Sequence, residues 1–271
     1  MKIIIFTYDR FDTITTSRYF NGIKHTVLCH TIEQRQKFIN AGNIYGDIIA
    51  TNQPKGLSNN RNFALDMLSN GEWALFMVDD LINMTMLGSY YDQNTDKIDV
   101  CYENQKIYNE DFKAQCNPKQ FLKICQETIE HAEQKGFALC GFSLTSNSVW
   151  RDKKFGYWSL ADGRCWLVKK TDLRQNTNVN CIEDYCFTAM NLKKFGGIVI
   201  NNWVLPDCKR YSKGGYGSIE KRMAQKKIEC KYLVDNFPEF IRYADKSGFP
   251  KGTHIRIRQK KSYNKNQQTL F

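Results

Sequence analysis

Apolar and polar positions along this chain come in alternating blocks. Short apolar runs at Ile3–Phe6, Thr26–Cys29, Asp47–Ala50 and Trp73–Val78 are separated by longer stretches with helical spacing. That pattern predicts βα units feeding a parallel sheet. Helical segments fall at Ser17 to Phe20 and at Glu33 to Ile39. A third is bounded by signals: Ser58 as cap, Phe63, Ala64, Met67 and Leu68 on one face, and Asn70-Gly71 as the stop. The Trp73–Val78 run is apolar throughout, as a central strand covered on both faces requires. Two adjacent acids, Asp79 and Asp80, follow it directly.

The second half continues the pattern less regularly. Gly88 to Asn117 is polar, rich in tyrosine and poorly periodic, an excursion suited to acceptor contacts. A helix from Pro118 to Lys135 leads into a strand at Phe137 to Leu144. Another strand is expected at Cys165 to Val168, a helix at Glu183 to Phe195 closed by Gly196-Gly197, and a last strand pair at Ile198 to Val204. Then come a glycine-rich loop, Ser212 to Gly217, a basic amphipathic helix from Ser218 to about Asn236, and a polar tail. The expected fold is a single α/β domain over residues 1–210, with a mostly parallel central sheet flanked by helices. A basic C-terminal helix and tail occupy residues 211–271 and complete the site.

Composition narrows the function classes. A chain of 271 residues suits one large domain. It lacks a stretch approaching the roughly 18 to 20 apolar residues of a membrane span. Met1 runs at once into the first apolar run, which reads as a strand and not as a signal peptide. The ten cysteines are scattered singly and form no CxxC pair, so structural thiols in a reducing cytoplasm are expected. The net charge of +11 is concentrated in the last third, while residues 92–111 are locally acidic. Lys209, Arg210, Lys213, Lys221 and Arg222 begin a basic region that continues through Arg256 and Arg258 with Tyr211, Tyr216 and Tyr243 interleaved. That density suits a phosphate backbone, and a basic solvated surface without a partner is its alternative.

Ligands of open α/β sheets bind beyond the carboxyl ends of the strands, where Asp79 and Asp80 are expected. Adjacent carboxylates repel, and a divalent cation with oxygen ligands is the simplest compensation. Such a cation, touching a diphosphate as well, would neutralise the charge developing on a leaving nucleotide. The plainer alternative has Asp79 capping a turn and Asp80 in solvent.

Three motifs together resemble the GT-A glycosyltransferases over roughly residues 1–210. They are Thr7-Tyr8-Asp9-Arg10 after the first strand, Gly56-Leu57-Ser58-Asn59-Asn60-Arg61-Asn62 opening a helix, and the apolar strand ending in Asp79-Asp80. The resemblance implies a nucleotide-sugar donor, most commonly a UDP-sugar. Residues 1–87 would form the half that binds it, and residues 88–210 the acceptor half. Thr7, Tyr8, Asp9 and Arg10 would hold base and ribose, Arg61 would lie near the nucleotide, and Asp79 and Asp80 would bind ribose and a Mn2+ or Mg2+ ion. The family's DxD pattern is not kept, because Leu81 stands in the third place. His254, the only late histidine, is the candidate for a further metal ligand, and a surface residue otherwise. Lys213, in the glycine-rich loop, is a candidate counter-charge to a diphosphate, and an ordinary connector is the alternative.

Glu183-Asp184 opens the expected late helix and resembles the acidic motif that supplies the base in inverting members of this family. Asp184 is the candidate general base, and Glu183 a candidate to hydrogen-bond the acceptor or exchange roles with it. Both acids would equally suit the positive end of a helix dipole. Trp158, in a polar setting, is a candidate stacking platform for sugar or base, whereas Trp150, Tyr157 and Trp166 read as core.

In size and charge the chain is similar to phage glycosyltransferases that decorate 5-hydroxymethylated pyrimidines in DNA. These include the TET/JBP-associated group and enzymes that place arabinose or glucose on hydroxymethylcytosine. That similarity implies double-stranded DNA as partner, with Trp158, Lys209, Arg210, Arg256 and Arg258 on the acceptor side and no membrane insertion. Two other readings stay open: a glycosyltransferase for a surface polysaccharide or lipid-linked acceptor, and a non-catalytic nucleic-acid-binding module.

Overall fold

The computed structural model describes residues 1–11, 14–87, 113–145, 154–208, 219–245 and 250–258. The first half runs β1 (Lys2–Phe6), α1 (Thr15–Tyr19), β2 (Thr26–Cys29), α2 (Ile32–Ala41), β3 (Asp47–Ala50), α3 (Leu57–Asp66), β4 (Trp73–Val78) and β5 (Leu81–Leu87). Then follow β6 (Lys113–Gln115), α4 (Pro118–Gln134), β7 (Leu139–Phe142), β8 (Phe155–Gly156), β9 (Cys165–Lys169) and α5 (Glu183–Phe195). The last elements are β10 (Val199–Asn201), β11 (Val204–Cys208), α6 (Ile219–Asn236), β12 (Ile241–Tyr243) and β13 (Ile255–Ile257).

The main sheet has eight strands in the order β3-β2-β1-β4-β9-β7-β10-β8. Six share one direction, and β9 and β8 run against their neighbours. The expected α/β architecture is therefore present. A three-stranded sheet, β11-β5-β6, packs beside it, and β12 and β13 form an antiparallel pair.

Alternation along the central strands divides the core into two layers, because neighbouring side chains in a strand point to opposite faces. Ile3, Ile5, Leu75, Met77 and Leu167 face α2 and α4 through Phe38, Phe121 and Ile124. Ile4, Phe6, Phe76, Trp166 and Val168 face α3, α5 and α6 through Leu65, Phe187 and Leu233. Covering both faces makes the strands apolar without alternation, as their sequence predicts.

Local chemistry sets several boundaries. The Thr31 hydroxyl accepts the Gln34 N–H at the start of α2. Asn117 and Gln120 form a reciprocal capping box, with Pro118 next to it, at the start of α4.

Three expectations need correction. Ser58 is not the cap of α3: the cap position is Gly56, and the Ser58 hydroxyl donates to the Val179 carbonyl at 3.0 Å. That helix also stops at Asp66, ahead of Asn70-Gly71. Finally, the region after α6 is not all tail, since β12 and β13 pack Ile241 and Ile255 into the α3–α5–α6 layer.

Candidate active site

The carboxyl ends of β1 and β4 lie side by side, with Phe6 opposite Val78. The next residues, Thr7 and Asp79, are therefore neighbours. Asp79 is 2% exposed and accepts the Thr7 hydroxyl through Oδ2 at 2.5 Å. Arg10 Nη1 donates to Asp79 Oδ1 and, at 2.8 Å, to Asp80 Oδ2, so one guanidinium bridges both acids. Burial pushes the Asp79 carboxyl up, against the downward pull of Arg10 and Thr7.

The backbone under the acids is pinned from α1. Thr16 Oγ1 donates to the Val78 carbonyl at 2.7 Å and accepts the Leu81 N–H at 3.0 Å. Leu81 begins β5 and is 3% exposed in the core, which explains why an acid does not fill the third place. Of the other residues after β1, Asp9 is exposed, has a left-handed φ of 51° and accepts the Gln34 side chain at 2.9 Å. Tyr8 lies 6.2 Å from the His30 ring, with the Lys55 ammonium 5.4 Å from its own ring centre.

A second acidic cluster forms around the start of α5. Arg61 on α3 is 1% exposed and donates to Glu183 Oε1 at 3.0 Å and to the Gly163 carbonyl at 2.5 Å. Its guanidinium also lies against Trp166, 4.5 Å from the ring centre, and Phe6. Gly163 is required here, because a Cβ would come within 2.7 Å of the Arg61 Nη2 atom. Arg61 thus acts as an internal strut between α3, α5 and the turn before β9. Burial of a charge in this way is tolerated when the ion is paired and hydrogen-bonded.

Asp184 accepts the Tyr185 N–H at 2.9 Å and is half-buried. Burial pushes its carboxyl up to about 8, with the carboxylates of Glu183 and Asp162 adding to the rise. Burial raises Glu183 as well, opposed by Arg61.

The turn Asp162-Gly163-Arg164 connects the two clusters. Arg164 folds back on Asp162 through Nε at 2.9 Å and Nη2 at 2.7 Å, and its carbonyl accepts the Val78 N–H at 3.0 Å next to Asp79. Cys208, at the end of β11, feels both sides: its thiol is pushed up to about 12 by burial first, then by Asp80, with Asp162 and Asp207 adding. Asp79, Asp80, Asp162 and Asp184 therefore line one end of the sheet. Asp162 and Arg164 were not singled out from sequence, although an Asp-Gly-Arg turn directly before a buried strand is the signal that marks them.

Glu229 on α6 is the least expected contributor. It is 2% exposed, and its carboxylate accepts the backbone N–H groups of Asn180 (3.0 Å), Cys181 (2.8 Å) and Ile182 (3.2 Å), the three residues before α5. A side chain remote in sequence thus holds the segment that aims Glu183 and Asp184.

The sequence matches no protein-family model and no curated protein. Among solved structures the chain is similar to Staphylococcus aureus TarS 1-349, with 13% identity, a TM-score of 0.44, and coverage of 87% of this chain and 66% of that one. It is also similar to the glycosyltransferase GlyE of Streptococcus pneumoniae TIGR4, in its apo form (18% identity, TM-score 0.21) and in a second structure (17%, 0.22). Each GlyE comparison covers 49% of this chain and 38% of GlyE. The chemistry of the site rests on its own residues.

The remaining sequence candidates fall elsewhere. Trp158 is partly buried: its Nε1 donates to the Arg258 carbonyl at 2.7 Å and its ring packs on Phe240, which ties down the β12–β13 pair. In that pair Arg242 stands opposite Arg256, while Arg258 Nε donates to the Ile241 carbonyl at 3.2 Å. Lys209, Arg210 and Lys213 lie outside the described residues, as does Trp150.

His254 stands beside β13, its carbonyl accepting the Ala244 N–H. Among the described residues no group of three or more His, Cys, Asp or Glu side chains is arranged to hold a metal. The expected metal set of Asp79, Asp80 and His254 is thus not assembled. Arg10 bridges the two acids, and Leu81 fills the third place with a buried apolar side chain. These residues do not fit a resident divalent cation. No described helix is long and apolar enough to cross a membrane.

Proposed function

We propose that this chain is a glycosyltransferase that takes a sugar from a nucleoside diphosphate donor and transfers it with inversion. One observation carries the reading: the bridged pair Asp79/Asp80 and the raised carboxyl of Asp184 lie at the same end of the sheet, joined by the Asp162–Arg164 turn. A carboxyl with a pKa near working pH suits a general base. Asp184 would take the proton of an acceptor hydroxyl as that oxygen bonds to the anomeric carbon. The bond from that carbon to the diphosphate oxygen breaks on the opposite face, and the diphosphate leaves with the electron pair. Glu183, held by Arg61, would orient the acceptor. Thr7, Tyr8, Asp9, Arg10 and Asp79 supply the donor side, for which a UDP-sugar such as UDP-glucose or UDP-arabinose is proposed.

For the acceptor we propose the hydroxymethyl group of a modified pyrimidine in duplex DNA. Support comes from the +11 net charge and from Arg242 and Arg256 paired across β12 and β13. A base hydroxyl reaching a buried carboxylate would have to leave the stack. The decisive experiment is mass spectrometry of hydroxymethylcytosine-containing DNA after incubation with a panel of nucleotide sugars. A mass increment names donor and acceptor together. Transfer to a polysaccharide or lipid-linked acceptor but not to DNA would replace the acceptor, and DNA binding without nucleotide-sugar binding would replace the enzyme with a binding module.

A further inference from the structure

We infer that Arg10 is the built-in counter-ion of the donor site, so that nucleotide diphosphate binding here proceeds without a divalent metal. The nucleotide half of this inference rests on the glycosyltransferase reading; the metal half does not.

Three observations converge. Arg10 Nη1 contacts an oxygen of each acid, the bridging position that a cation shared by two carboxylates would take. The other Asp79 oxygen already accepts the Thr7 hydroxyl, so a cation entering there would have to displace two donors from a carboxylate that is 2% exposed. Leu81 cannot turn to offer a ligand, because its N–H is held by Thr16 and its side chain lies in the core beneath the sheet.

A guanidinium differs from a metal ion in useful ways. It is permanently charged, and it carries its donors in a planar fork that suits both carboxylate and phosphate oxygens. The Arg10 side chain keeps 18% of its surface exposed while it pairs the acids. One group can therefore bridge the acid pair and lie beside the anionic donor.

The test has two arms. In the first, Mn2+ alone is titrated into the wild-type chain and free Mn2+ is followed by electron paramagnetic resonance. Wild type should show no site tighter than about 1 mM, and Arg10→Ala should gain one as the guanidinium no longer bridges Asp79 and Asp80. In the second, UDP binding is measured by calorimetry in chelator and in Mn2+. Wild-type affinity should be the same in both, while Arg10→Ala should lose roughly 10- to 100-fold in chelator and regain part of it with Mn2+.

Stoichiometric Mn2+ binding to wild type that Asp80→Asn abolishes would overturn the inference, as would loss of wild-type UDP binding in chelator. Should Arg10→Ala not fold, the wild-type and Asp80→Asn titrations still decide it. An absence of UDP binding under every condition would sink the donor reading, while the Mn2+ titration continues to judge Arg10.

Discussion

The two acidic pairs of this molecule are built on opposite plans. Asp79 and Asp80 stand at the end of a central strand and are bridged locally by Arg10, with Thr7 donating to Asp79, both from the neighbouring strand end. Glu183 and Asp184 stand at a helix start and are supported from a distance, by Arg61 on α3 and Glu229 on α6. Only Glu183 of this second pair receives a guanidinium. Asp184 is left facing two other carboxylates in a half-buried position, and its proton affinity rises accordingly. The first pair is compensated and suits holding a ligand, whereas the second is left with unsatisfied charge and suits moving a proton.

The sharpest way to break this comparison is Asp184→Asn. Turnover is expected to fall by about 10²- to 10⁴-fold while UDP affinity stays as in wild type. A small change in turnover would mean that Asp184 merely opens a helix. The same variant carries a stability signature. The Asp184 pKa is raised from an ordinary 3.8 to about 8 in the fold, so its contribution is full below the ordinary value and is lost as pH rises through about 8. Asn should therefore raise the melting temperature most at pH 8 and above, with the two proteins converging in acid.

Next in size is Arg61→Met, which leaves the Glu183 carboxylate and the Gly163 carbonyl without their donor. A loss of about 3–5 kcal/mol in urea denaturation is expected. A neutral result would show that the second cluster does not depend on its strut.

Glu229→Gln should cost less, about 1–3 kcal/mol, since an amide oxygen still accepts but without the charge. Its distinguishing readout is the pH profile. Glu229 is one of the groups that raise Glu183, so the acid limb of the rate should shift. Unchanged stability and pH profile together would remove Glu229 from the site.

The smallest effect is expected from Asp162→Asn. The wild-type rate should climb with pH toward about 8 as Asp184 loses its proton, and removing the Asp162 charge should move that limb to lower pH. A fixed limb would dissociate Asp162 from Asp184.

The sequence disclosed the first pair more fully than the second. β2, β3, β4 and α5 are found at the predicted residues, because short apolar runs bounded by polar residues and a glycine-stopped helix write their limits into composition. Asp79 and Asp80 were legible for the same reason: they end an apolar run. What compensates them was not, since pairing across β1 and β4 joins residues some 70 positions apart. The burial of Arg61 was not legible either, because an arginine in a polar helix start gives no hint that Trp166 and Phe6 will enclose it. For Trp158, too, polar neighbours suggested exposure, whereas its indole bonds the Arg258 carbonyl just after β13 and packs on Phe240. The three-residue strands β12 and β13 lack strong runs and are made by tertiary pairing, which one-dimensional patterns do not carry.

The Glu229 contact also orders events in time. Its nearest partner, the Cys181 N–H, lies 48 positions earlier in the chain. As the polypeptide emerges from the ribosome, strands β1 to β4 and Arg10 are complete long before α6 exists. The segment that aims Asp184 must wait with three backbone donors unmet. The surroundings of Asp79 and Asp80 are therefore synthesised well before the contact that fixes Asp184.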